Sequence, residues 1–244
     1  MPYIYEIHDN ELGTIEVHSS ARASRISFKG RMGRIIATIP ARNICRTEYL
    51  KELIEKHRAA LHRLLKKSTL RHESSALHNG KEIKIPETTL LLRADLQVGR
   101  GHIRTRQEEN HIIFSYHPDD LLQEPFRQGF ARFILRTLTQ LYGRHLQEMV
   151  AQEASRWGVH PKGVRIGRGQ RILGHCSRQG IITISAFVLL LPQHLRQYIV
   201  CHELAHLTHF NHSSHFHTLC NQYCHGNESV WARELRQFAF PISL

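Results

Sequence analysis

The sequence predicts an α+β protein in which strands come first and helices last. Three observations carry this reading. Residues 3–39 alternate polar and apolar side chains with the period of strands and contain the turn-like run Gly30-Arg31-Met32-Gly33. From Pro125 onward the pattern changes to the three-and-four spacing of helices, most extensively over Phe126–Trp157. The 244 residues, 41% hydrophobic, are enough for one large domain or two small ones.

In order, strands are expected at Tyr3–Ile7, Thr14–His18, Arg25–Lys29 and Arg34–Ile39, forming a small antiparallel meander that Pro40 ends. Thr47 can cap a helix running from Glu48 to about Lys67, with Leu50, Leu53, Ile54, Leu61, Leu64 and Leu65 as its apolar stripe. Its other face and the residues that follow carry Lys56, Arg58, Arg63, Lys66, Lys67 and Arg71. That is either a solvated face or a nucleic-acid patch, and no aromatic side chains are interleaved for base stacking. Residues 68–88 read as a polar loop. Strands at Thr89–Val98 and His111–Tyr116 are expected to pair as a hairpin across Gly99–Asn110.

The change of character at Pro118-Asp119-Asp120 divides the chain into a β-rich accessory region with one amphipathic helix, 1–118, and a catalytic domain, 119–244. Gly143 is the weak point of the long helix, whose length leaves open a kink or break there, and Gly158 and Pro161 stop it. Short strands at Val164–Gly167 and Ile181–Ser185 flank Gly174-His175-Cys176-Ser177, and Pro192 suits the first turn of a helix. Asn211 or Ser213 caps a further helix to about His225, with Phe216, Leu219, Cys220 and Tyr223 inward, and Glu228–Phe238 forms the last. No repeat or low-complexity segment stands out.

The 33 Lys and Arg outnumber the 21 Asp and Glu, and the resulting +12 favours contact with nucleic-acid phosphates or other acidic partners without establishing it. The five cysteines, Cys45, Cys176, Cys201, Cys220 and Cys224, form no C-x-x-C pair and make an odd total, which argues against a secreted disulfide framework. The N-terminus lacks the basic start and apolar run of a signal peptide, and the longest apolar run, Ala186–Leu191, is too short to span a bilayer. These features predict a cytoplasmic protein with no membrane partner; the oligomeric state is not legible.

Chemistry is expected at Cys201-His202-Glu203-Leu204-Ala205-His206. Residues four apart share a helix face, so His202 and His206 can offer two imidazole nitrogens to one zinc ion with Glu203 beside them. This is the zincin arrangement: a third protein ligand completes the set, a fourth position stays open for water, and the carboxylate takes a proton as the water attacks a carbonyl. With 20 histidines in the chain, a chance His-Glu-x-x-His has a probability of roughly one in ten, so context matters. Apolar Ile199, Val200, Leu204 and Leu207 supply it, because they predict a largely buried helix holding both imidazoles.

His212, six residues beyond His206, is the expected third ligand. The metzincin glycine position is His209, and the three methionines, Met1, Met32 and Met149, all precede the motif, so no Met-turn is available. Glu228, and after it Glu234, is the rival third ligand from a downstream helix. His209, His215 and His217 are expected at the surface or behind the ligands, and Cys220 and Cys224 in the core.

His-Glu-Leu-Ala-His-Leu at 202–207 followed by Asn-His-Ser-x-x-Phe at 211–216 resembles the YgjP-type metallopeptidases, relatives of the SprT-like family. The resemblance extends to a strand like Arg22–Phe28 and to the Leu173–Ser177 element, where the family's usual Trp-Gly-Ser-Cys-Ser is Leu-Gly-His-Cys-Ser here. His217 replaces the usual tryptophan after Phe216. The resemblance implies a zincin-like domain, zinc on His202, His206 and His212, Glu203 as general base, and peptide or protein substrates. The SprT-like branch includes proteases acting on DNA-bound proteins, and some relatives carry a nucleotide pyrophosphatase label. Both remain alternatives, although this chain has no C-x-x-C ribbon and no Gly-rich phosphate loop.

Overall fold

Alternating side chains place Ile15 and Val17 of one strand and Ile35, Ala37 and Ile39 of another on a single buried face, and this face organises the first part of the chain. In the computed structural model, which describes residues 2–43 and 47–244, four strands form this sheet: β1 (Tyr3–Asp9), β2 (Gly13–Ser20), β3 (Ser27–Arg31) and β4 (Arg34–Pro40). Their order is β1-β2-β4-β3. β1 with β2 and β3 with β4 are antiparallel hairpins, but the inner strands β2 and β4 run parallel, so the sheet is two hairpins side by side, not a continuous meander. Met32 and Gly33, both with positive φ (50° and 72°), make the tight β3–β4 turn in the Gly30–Gly33 run.

The expected single helix is two, α1 (Thr47–Lys56) and α2 (Arg58–Ser75), separated at His57, and the second continues into the expected loop. Leu50, Ile54 and Leu61 close this core over the sheet. Arg58 turns away from the basic face: it donates to Asp9 at 2.9 Å and to Glu11 at 3.2 Å, and Asp9 also accepts from the amides of Glu11 and Leu12 in the β1–β2 turn. Cys45 lies outside the described residues.

The chain divides into two compact units, Met1–Ala76 and Leu77–Leu244. The division expected from sequence was at 118/119. The composition does shift there, but Ile112, Phe114 and Tyr116 share their core with Phe130 of the following helix, and that packing puts the intervening strands in the second unit. These strands are β5 (Glu82–Lys84), β6 (Thr89–Ala94), β7 (Ile103–Glu108) and β8 (His111–Tyr116), ordered β5-β6-β8-β7. β6 and β8 are parallel, and the hairpin partner of β8 is β7, which forms from the charged stretch expected to be a loop.

Helix α3 (Glu124–Trp157) runs unbroken for 34 residues. Gly143 does not interrupt it, because the residue is buried where the helix approaches Ile166. Gly158, at φ 65°, ends the helix as expected. A second sheet of this unit, ordered β10-β11-β9, contains β9 (Gly163–Gly167), β10 (Gly174–Cys176) and β11 (Ile181–Ser185). The apolar run 186–190 is a buried 3-10 turn feeding α4 (Gln193–Ala205), and α5 (Ser214–Tyr223) and α6 (Glu228–Gln237) complete the unit. No helix among the described residues is long and apolar enough to cross a membrane.

Candidate metal centre

The motif helix α4 is seated by its own sequence. Leu195, Val200, Cys201, Leu204 and Ala205 are fully buried, so the face opposite the motif histidines is held in the core. Arg196, 1% exposed, fixes the first turns: its guanidinium donates to the carbonyls of Leu189 and Leu191 and to the Glu87 carboxylate. A buried guanidinium with these acceptors leaves little of its charge unpaired. Gln197 of α4 also donates to Glu153 of α3 at 3.2 Å.

His202 and His206 lie one turn apart, their rings 4.9 Å between centroids. The chain leaves α4 at His206, turns back over 207–213, and starts α5 with Ser213, whose hydroxyl accepts from the Phe216 amide. This return brings His212 against the pair, its Nε2 3.1 Å from Nε2 of His202. One ligating atom from each of His202, His206 and His212 falls within 4.8 Å of the others. The fully buried Phe216 ring sits among all three imidazoles, stacked on His206 at 4.5 Å and edge-on to His202 and His212 at 4.9 and 4.8 Å.

Tautomers and charge agree with a cation site. Nδ1 of His206 lies 2.9 Å from the His209 carbonyl, which can only accept, so Nδ1 carries the proton and Nε2 keeps its lone pair. Burial lowers the pKa of His202 to about 4, and the neighbouring His206, His212 and His217 add to the effect. His206 is lowered by burial too, against the pull of the His209 carbonyl. Neutral imidazoles are the form that ligates. Glu203 Oε2 is buried without a hydrogen-bond partner among the described residues, a cost that a water on a bound ion would relieve. The donor set therefore fits a metal ion, and three imidazoles with a carboxylate alongside suit zinc chemically.

Glu203 is 4% exposed and faces β10. A Cβ built on Gly174 would lie 2.4 Å from its Oε1 and 2.7 Å from its Cδ, so the carboxyl occupies the place of the missing side chain. Burial raises the Glu203 pKa to about 7, while the Cys176 backbone amide pulls it down.

The rival ligands are engaged elsewhere. Glu228 accepts from Nδ1 of His217 at 2.7 Å, and Glu234 meets His194 at 2.9 Å. His209 and His215 face each other with rings 6.1 Å apart, and Tyr223 stacks on Trp157. Cys220 and Cys224 are wholly buried, and hydrogen bonding with Cys201 and Cys220, together with burial, pushes the Cys224 thiol up. Sequence reading missed the parts played by Phe216, Gly174 and Arg196. The first two stand in the quoted motifs, but their reasons are contacts across the fold.

Fold and site together define a metal-dependent hydrolase of the His-Glu-x-x-His type. Residues 24–237 match the family described as YgjP-like, metallopeptidase domain, and the chain belongs to that family. It is a metallopeptidase, an enzyme that hydrolyses peptide bonds. Among solved structures it is similar to the metallopeptidase zymogen abylysin of Pyrococcus abyssi, with 25% identity over 37% of this chain and 95% of that one, and a TM-score of 0.31. No curated protein matches.

Proposed function

We propose that His202, His206 and His212 hold one zinc ion and that Glu203 is the general base and then the general acid of peptide-bond hydrolysis. The observation that carries this is the convergence of three ligating atoms within 4.8 Å beside a buried carboxyl. Zinc, when bound, supplies Lewis acidity toward a peptide carbonyl. Glu203 takes a proton from the attacking water at its unpartnered Oε2 and delivers it to the leaving amine. His206 is held in its ligating tautomer by the His209 carbonyl, and Phe216 fixes the mutual orientation of the rings. The first unit is accessory to this site. The setting is cytoplasmic, supported by an odd number of cysteines with no C-x-x-C pair.

Metal analysis of the native protein coupled to digestion of a peptide library tests the reading. One zinc per chain with cleavage is expected. Glu203→Gln should retain zinc and lose turnover about 10²–10⁴-fold, and wild-type rates in that variant would overturn the mechanism. Full zinc occupancy in His212→Ala would remove His212 from the ligand set.

A further inference from the structure

From Ala154 to His202 the chain has seven Lys and Arg and no Asp or Glu, where the chain's average density would give about four acids. Two of the seven are neutralised from outside the stretch, Arg156 by Glu153 and Arg196 by Glu87. The remaining five, Lys162, Arg165, Arg168, Arg171 and Arg178, are all exposed, and none records an ion pair among the described residues.

The fold places Arg168, Arg171 and Arg178 next to β10, the strand beside Glu203, and Lys162 and Arg165 at β9, across β11 in the same sheet. β10 is the end strand of its sheet. The Leu173 carbonyl and Ser177 amide bond inward to β11, so by strand alternation the polar backbone groups of Gly174 and Cys176 turn toward the open edge. Arg168 and Arg171 lie in the segment entering β10. Arg178 is in the turn leaving it, and a side-chain carbon added at Gly180 of that turn would lie 3.6 Å from Lys162 Cγ and 3.8 Å from Cδ2 of Leu207, one residue past His206. Arg165 shares a row across the sheet with Thr183 and His175. Cations thus stand at both ends of the edge that borders the metal centre.

We infer that this edge selects peptide substrates carrying acidic residues on both sides of the scissile bond. The inference rests on the peptidase reading above and names its substrate class. Uncompensated cations beside a reaction site attract and orient segments of opposite charge. An acidic peptide suits the strip better than a nucleic acid, because no Phe, Tyr or Trp occurs between Gly158 and Ser185 to stack on bases.

Two measurements on the full chain separate this inference from the reading beneath it. Zinc-loaded protein is given matched acidic and neutral peptides. In parallel, a fluorescent acidic peptide is titrated into the Glu203→Gln protein and followed by anisotropy, which needs no cleavage. The acidic peptide is expected to have the higher kcat/KM, and Arg171→Glu/Arg178→Glu should lower the acidic-to-neutral ratio about tenfold and weaken anisotropy binding to match. Raising salt from 0.05 to 0.5 M (about a threefold shorter screening length) should act in the same direction. Unchanged zinc content and circular dichroism would certify the folded variant.

Equal use of both peptides, or a ratio indifferent to the double reversal, overturns the inference. So does tighter binding of a single-stranded oligonucleotide than of the acidic peptide. If neither peptide is cut but the acidic one still binds in a reversal-sensitive manner, the peptidase reading fails and the anionic-peptide surface stands.

Discussion

The two four-stranded sheets have one plan. β1-β2-β4-β3 and β5-β6-β8-β7 are each two antiparallel hairpins whose inner strands run parallel. The difference between them lies in the helices that cover them. In the first unit, α1 and α2 bury Leu50, Ile54 and Leu61 over the sheet, and that core stays its own. In the second, the first half of α3 packs Phe130 and Phe133 against Phe114, and its second half continues past the sheet to Ile166 of β9 and Gln197 of α4. A sheet becomes part of an active-site scaffold here because its helix is long enough to reach the next layer. The sheet itself is the same device in both places.

The largest test of that contrast uses one core substitution in each unit. Ile35→Ala should cost about 2–5 kcal/mol in the first unit and leave zinc affinity unchanged, and Phe216→Ala about 3–5 kcal/mol in the second with weakened zinc binding. Calorimetry and metal titration on both variants read this; loss of zinc affinity in Ile35→Ala would mean that the two cores are coupled. Smaller in energy is a pair of glycine substitutions in the third sheet. Gly174→Ala drives its methyl into Glu203 and should lower kcat about 10²-fold with zinc retained, whereas Gly163→Ala meets nothing within 4 Å and serves as its reference. Equal kcat in the two variants would detach Gly174 from the placement of Glu203.

The smallest effects are in pH dependence, and the two units should differ in their windows. In the first, Arg58 and the Leu12 amide hold Asp9 well below the usual carboxylate range. Its stabilisation is present above the unfolded value and lost as pH falls through the folded one, so this unit weakens in acid. In the second, burial lowers the Lys81 pKa from 10.5 to about 8. Between about 8 and 10.5 the unfolded state binds the extra proton, so Lys81 makes this unit more stable as pH rises through that window. Asp9→Asn should flatten the acid limb and Lys81→Met the alkaline one, both followed by denaturant midpoints.

The element types were largely legible from side-chain periodicity, and so was the clustering of His202, His206 and His212, because they lie close in sequence. Strand partners were not. Nothing in the alternation of β6 and β8 indicates that they run parallel with β7 on the far side, since alternation fixes the buried face and leaves the neighbour open. For the same reason the repeated sheet plan left no repeat in the sequence. The division at 118/119 followed composition, whereas the packing of Tyr116 on Phe130 decides membership of the core. Gly174 stands in a sequence motif, but its reason is a carboxyl 29 positions later in the chain.

Phe216 has a further consequence for how ion and protein energetics are joined. One ring is both the anchor of α5 in the core and the surface against which three imidazoles pack. With an ion on the three imidazoles, helix docking and ion affinity would be linked: the free energy by which a docked α5 favours the ion equals that by which the ion favours docking. Melting temperature should therefore climb with zinc concentration, and a substitution such as Leu219→Ala, in the core-facing side of the same helix, should appear in metal titrations as a loss of affinity.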